Sequence, residues 1–266
     1  MWRHPDQEGV LLMAGQTTSY AVEPRGEYVF GVVTGQAMRS RRGREHRLVR
    51  PGQVVAWDPS NAHAGTAVDG RPWSSRLMIV EAADLSALAG DEETDVLADV
   101  VFPEPVVSAP DLARAFLRLH TALETPTTRL ERDEQLVEWL HALIERSSAV
   151  RLQRSPLNTR DDKALRSACD YLGDRPERNV GLDELAAAAG ISKFRLIRLF
   201  RERTGLPPHA LHVAHRVRAA RRLLERGDTI AATANATGFA DQSHLHRHFR
   251  RSLGMTPGEY QRRFKV

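Results

Sequence analysis

The chain has 266 residues, 41% of them apolar, and a formal net charge of +4, which is enough for two domains of ordinary size, each with its own core. Its single cysteine, Cys169, excludes an intrachain disulfide and a cysteine-based metal cluster and reads as an ordinary buried thiol on a helical stretch. There is no apolar run of about 18 residues, and the N-terminal MWRHPDQEGVLLMAGQ lacks a long apolar core with small-residue cleavage signals, so a cytoplasmic protein with no membrane partner is expected.

The first strong pattern runs from Tyr28 to about Val80, where YVFGVV, RGREHRLV, QVVAW and RLMIV are separated by Gly35, Pro51-Gly52 and Asp58-Pro59. Short β-type runs with turn signals between them predict an all-β sandwich or small barrel. Two amphipathic helices follow. Leu112, Ala115, Phe116, Leu119 and Leu123 share one face, and Leu136, Val137, Leu140, Leu143 and Ile144 share another; these faces cover the β domain or form a dimer seam. Around residues 151–161, RLQRSPLNTRD has no apolar periodicity and reads as a linker.

Beyond it the charge balance changes. Residues 161–266 carry 20 Lys and Arg against 12 Asp and Glu, while residues 1–160 carry 18 against 22. A basic half points to a polyanionic partner, because cations that neutralise phosphates release condensed counterions; an Arg-rich solvated surface gives the same numbers.

Within this half, LDELAAAAGISKFRLIRLFRERTG (182–205) reads as a helix-turn-helix unit. Leu182, Leu185 and small Ala186 face inward, Gly190 permits the sharp turn, and Ser192 caps a second helix with Leu196, Leu199 and Phe200 inside. Lys193, Arg195, Arg198, Arg201 and Arg203 are left for the outside, where Arg can donate a bidentate pair to guanine in the major groove. The segment 230–253 repeats the pattern after 48 residues, with Ala234 and Gly238 in the places of Ala186 and Gly190. Phe239, Leu245 and Phe249 supply its inner face; Gln242, Ser243, His244, His246 and Arg247 are expected outside. Between the units, PHALHVAHRVRAARRLLERG predicts a helix of about 28 Å, near the roughly 34 Å repeat of DNA, so two recognition helices can enter successive major grooves. His244, His246 and His248 form an HxHxH run, but His246 points away from the other two and nothing completes a metal set.

From about Val180 to Tyr260 these marks, LDELA, GIS, RLFRERTG, RVRAARRLLERG and above all GFADQSHLHRHFRRSLGMTPGEY, resemble the DNA-binding domain of the AraC/XylS family of bacterial regulators. The resemblance implies DNA contact early in each recognition helix, by Phe194, Arg195 and Arg198 in the first and Gln242, Ser243, His244 and Arg247 in the second; the helix pattern adds Ser192, Lys193 and His246 to the candidate DNA-contacting residues. Thr233 and Asn235 depart from the pattern, standing where a larger aliphatic residue and Ala are usual, and are expected to loosen the second unit.

RPGQVVAWDPSNAHAG resembles the second motif of a cupin-like effector domain. The first motif should lie near VEPRGEYVFGVV, which has no His, so a metal-holding cupin enzyme is disfavoured and no cofactor is expected. Tyr28, Trp57, His63 and Arg76 are the candidate effector-binding residues.

The expected architecture is thus α+β and multidomain: residues 1–150 form a cupin-like β-barrel (about 15–85) with following helices (about 111–148), residues 151–161 a linker, and residues 162–266 an all-α domain whose two helix-turn-helix units are joined by a helix. The expected function is a non-enzymatic, sequence-specific transcription regulator of double-stranded DNA, controlled by a small-molecule effector. RNA polymerase and a second copy of the chain are the other partners this reading leaves open. The alternatives are a ligand-independent repressor or architectural DNA-binding protein, and a metal-dependent cupin enzyme fused to a DNA-binding module.

Overall fold

The computed structural model describes residues 2–3, 9–22, 27–42, 44–59, 63–89, 100–124, 127–148 and 159–262. The chain divides into two units, residues 1–124 with 136–154, and residues 125–135 with 155–266.

The first unit contains β1 (Trp2–Arg3), β2 (Val10–Thr17), β3 (Ser19–Val22), β4 (Glu27–Val33), β5 (Met38–Arg42), β6 (Glu45–Val49), β7 (Val54–Trp57), β8 (His63–Ala67), β9 (Trp73–Glu81), α1 (Ala82–Ala89), β10 (Val106–Val107) and α2 (Pro110–Ala122). It also takes α3 (Arg129–Ser147) from Leu136 onward. A six-stranded sheet runs β1-β2-β9-β4-β7-β10, and a four-stranded sheet runs β3-β8-β5-β6. Neither closes on itself or on the other among the described residues, so the expected barrel is an open two-sheet arrangement. Alternation along each strand shows which residues face in, but closure depends on which strands pair, and that is not written in any one strand.

The larger sheet is buried on both faces. Tyr28, Phe30 and Val32 of β4 point to one side, Val29 and Val33 to the other. Register carries the alternation across the sheet: Ala56, Phe30, Met78 and Leu12 sit opposite one another on successive strands and join one core. Against that face pack Leu112, Phe116 and Leu119 of α2 and Leu136, Leu140, Leu143 and Ile144 of α3. The two amphipathic helices therefore cover the sheet. The opposite face shares Val29, Val33, Val55, Trp57 and Trp73 with Met38 and Val49 of the smaller sheet.

The second unit contains the first turns of α3, then α4 (Thr159–Asp174), α5 (Leu182–Ala189), α6 (Lys193–Thr204), α7 (Pro208–Glu225), α8 (Ile230–Ala236), α9 (Gln242–Leu253) and α10 (Pro257–Arg262). Of the expected linker, residues 151–158 lie outside the described residues, and Thr159–Asp161 already belong to α4. Cys169 on α4 is half-buried, and burial raises its thiol pKa. Among the described residues no helix is long and apolar enough to cross a membrane.

Candidate nucleic-acid interface

The first helix-turn-helix unit consists of α5 and α6. Leu182, Leu185 and Ala186 are buried, and Gly190 ends α5 in the left-handed region at φ 68°, where a side chain would be strained. Ser192 caps α6 by accepting the Arg195 N–H at 3.2 Å. Leu196, Ile197, Leu199 and Phe200 form the inner face; the sequence pattern missed Ile197. Four of the five cations expected on the outer face are tied to acids. Lys193 lies 2.7 Å from Asp183, Arg198 3.5 Å from Glu202, and Arg203 3.3 Å from Asp162. Arg195 turns towards α4, where its guanidinium forks onto Asp161. Phe194 is half-exposed and Arg201 exposed.

In the second unit, α8 carries buried Thr233 and Ala234, and Gly238 follows it at φ 75°. A Cβ on Gly238 would also come within 2.4 Å of the Glu177 carbonyl oxygen, so both conformation and space demand glycine. Asp241 caps α9 by accepting the His244 N–H at 2.7 Å. Leu245 and Phe249 point inward, joining Val217, Ala220 and Leu224 of α7. Gln242, Ser243 and Arg247 are exposed and His246 half-exposed, all early in the helix.

His244 corrects the expected outer face. Its ring is 1% exposed, set edge-on to Phe239 with centroids 5.3 Å apart and 4.7 Å from the His248 ring. Nδ1 accepts the Ala240 N–H at 3.3 Å, and burial lowers its pKa to about 4. The ring therefore stays neutral and faces the core. Among the described residues no group of three His, Cys, Asp or Glu is placed to hold a metal. Thr233 is buried and its hydroxyl has no hydrogen-bond partner among the described residues, which is the polar core defect expected there. Asn235, in contrast, is exposed and leaves packing untouched.

Arg216 of α7 was not singled out in the sequence. It is 1% exposed, donates from Nε to Pro176 O at 2.8 Å and from Nη2 to Arg178 O at 2.7 Å, and lies 6.0 Å from the Phe239 ring centroid. Burial lowers its pKa to about 10. The signal was present: 213, 216, 217 and 220 are the spacing of one helix face.

Of the four effector candidates, Trp57 and His63 come together while Tyr28 and Arg76 lie elsewhere. Tyr28 stacks on Phe30 in the core under α2 and α3. Trp57 and His63 stack between the sheets at 4.6 Å with Tyr20 edge-on to both. Arg76 on β9 pairs with Glu124 and lies 2.8 Å from His120 Nδ1. Beside the Trp57–His63 stack, the buried Trp57 Nε1 and Tyr20 hydroxyl lack hydrogen-bond partners among the described residues, and burial pushes the Tyr20 pKa well above its usual 10.

A family model described as an AraC-like ligand-binding domain matches residues 5–140, and one described as a helix-turn-helix domain matches residues 185–263. The chain is 28% identical over 219 residues to YbfI, an uncharacterized HTH-type transcriptional regulator of Bacillus subtilis, covering 82% of this chain and 78% of that one. It is 31% identical over 128 residues to the HTH-type transcriptional regulator MtrA of Neisseria gonorrhoeae, covering 48% of this chain but only 42% of MtrA. Among solved structures it resembles the DNA-binding domain of AdpA in complex with a target DNA, at 32% identity over 39% of this chain and 94% of that one, with a TM-score of 0.36.

Proposed function

The chain belongs to the AraC family of transcription regulators, with an N-terminal ligand-binding domain and a C-terminal DNA-binding helix-turn-helix domain, and we propose that it reads double-stranded DNA with the early residues of α6, which are half-buried, and those of α9, which are mostly exposed. The observation that carries this reading is the pair of recognition helices, each capped, each packed inward by Leu and Phe, and joined by the 18-residue α7. At 1.5 Å per residue α7 is about 27 Å long, close to the roughly 34 Å repeat of DNA.

The proposed contacts differ from the full sequence-based set. Lys193, Phe194 and Arg198 serve the first unit, with Ser192 offering its end of α6 to phosphate; Gln242, Ser243, His246 and Arg247 serve the second. Arg195 and His244 are assigned to holding the domain together, because one is engaged by Asp161 and the other is buried.

Control by a small molecule at the N-terminal domain is part of the proposal. It is supported by the Trp57 Nε1 and Tyr20 hydroxyl between the sheets, which find no hydrogen-bond partner among the described residues, since buried donors cost free energy until something accepts from them. Such a ligand presents hydrogen-bond acceptors and a flat face to the Trp57–His63 stack. The role is binding without turnover, in the cytoplasm. A second copy of the chain and RNA polymerase are further partners; because sheet packing occupies the apolar faces of α2 and α3, a pair of chains would use another surface.

The test is selection of bound sequences from a random duplex library with the full-length chain at about physiological salt, repeated with Arg198→Ala and Arg247→Ala. Two enriched patches about one helical turn apart, each blurred by one substitution, are expected. Enrichment of no sequence, with and without cell extract metabolites, overturns the proposal.

A further inference from the structure

Two helices of the C-terminal unit begin without a side-chain cap of their own. α5 starts after Gly181 and α7 after Pro207, neither of which supplies a capping oxygen, whereas Ser192, Thr229 and Asp241 cap α6, α8 and α9. Both missing acceptors come from consecutive residues of α3. Asp133 Oδ2 accepts the Leu182 N–H at 3.0 Å, the first of α5. Glu134 accepts the His209 N–H at 2.7 Å with one oxygen, and its other oxygen lies 2.6 Å from His209 Nδ1. Both carboxylates are buried.

A helix start presents N–H groups with no partner in the helix and the positive end of its dipole, so a carboxylate held there out of water is a strong partner. Neighbouring residues on a helix point about 100° apart, which lets one turn of α3 serve two different helices. Those two precede and follow α6 in the chain. The contacts come from residues 129–135, outside the matched helix-turn-helix stretch and inside the stretch matched as a ligand-binding domain.

We propose that Asp133 and Glu134 are positioning residues for DNA recognition: from α3 they hold the starts of α5 and α7, and thereby set the frame in which α6 presents Phe194 and Arg198. The proposal rests on the DNA-reading function above. It requires more than helix stability, because what matters is that the cap arrives from α3.

The experiment uses the full chain as wild type, Asp133→Asn, Glu134→Gln, and Glu134→Gln combined with Pro207→Asp. Pro207 has the extended conformation of a capping residue, so Asp there supplies a local cap. For each variant the affinity for the selected duplex is divided by that for a random duplex at the same salt, and the melting temperature is recorded. The ratio is expected to fall roughly tenfold in both carboxamide variants, with random-duplex affinity kept. Adding Pro207→Asp is expected to restore the melting temperature but not the ratio, and this double variant carries the test if Glu134→Gln alone does not fold. An unchanged ratio in folded variants, or a ratio restored by the local cap, overturns the proposal. A wild-type chain that prefers no duplex overturns instead the DNA-reading function on which it stands.

Discussion

Arg195 and Asp161 meet as a fork, Nε to Oδ1 at 2.8 Å and Nη2 to Oδ2 at 3.0 Å, and the Asp161 side chain is only 1% exposed. Parallel charge-assisted bonds of this kind are strong and geometrically specific, and removing one member leaves charge in a site built for two. Arg195→Ala should therefore lower the unfolding free energy by about 3 kcal/mol, against less than about 1 kcal/mol for Arg198→Ala, whose acid partner Glu202 is largely exposed. Urea unfolding of both variants checks this; equal stabilities would return Arg195 to the DNA-contacting set.

Arg198→Ala and Arg247→Ala should each weaken binding to the selected duplex by about 1–3 kcal/mol and relax preference at one base pair. A cation that touches only phosphate behaves differently: its loss weakens all duplexes alike and reduces the salt slope by about 1. Titrations of selected and random duplexes at several salt concentrations separate the two, and parallel losses for Arg198→Ala rule it out as a base reader.

Stability should depend on pH in a defined window. Burial lowers the His212 pKa to about 3 and the His244 pKa to about 4, whereas in the unfolded chain both titrate near the ordinary 6.5. As pH falls from about 6.5 towards about 4, the unfolded state takes up protons that the folded state refuses, and stability is lost; above about 6.5 the contribution is constant. His248, which faces His244, is shifted in the same direction by burial. Urea midpoints at pH 7.5 and pH 5, for wild type and His212→Gln, are the measurement. The fall should be smaller in the variant, and an identical fall would mean that His212 does not contribute.

Thr233→Val keeps the shape of the side chain and removes a buried hydroxyl that finds no partner among the described residues. It should stabilise the chain by about 1 kcal/mol, read as a higher midpoint in thermal unfolding. A lower midpoint would show that the hydroxyl is satisfied in solution.

The helix-turn-helix units were legible because their information is local. Leu182, Leu185, Leu196, Phe200, Leu245 and Phe249 recur at helical spacing, and Gly190 and Gly238 mark turns whose positive φ the structure bears out. Ile197 and Arg216 also lie on buried helix faces, and neither was read from the sequence. His244 was misjudged because position alone placed it outward, while the cap at Asp241 and the Phe239 ring draw it into the core.

In the N-terminal unit, β4, β6, β7 and β9 follow from short β-type runs with turn signals between them, whereas β5 and β8 were not read as strands, and the sheet to which each strand belongs is not written in its run. The run VLLMAG became β2, paired along its full length with β9, only because Val10 and Leu12 find the helix-facing core there. The effector candidates Tyr28 and Trp57 separate for the same reason: they lie on neighbouring strands but point to opposite faces of one sheet.

By itself, then, the sequence determined what short-range periodicity, turn chemistry and charge can encode: the two recognition units, the helix between them, two amphipathic helices after the strands, and a basic C-terminal half. Tertiary structure alone decided which polar groups meet. Asp161 with Arg195, Asp133 with Leu182 and Glu134 with His209 are 34, 49 and 75 residues apart. No local pattern announces such pairs, because a buried carboxylate is tolerated only where the folded chain brings a donor to it.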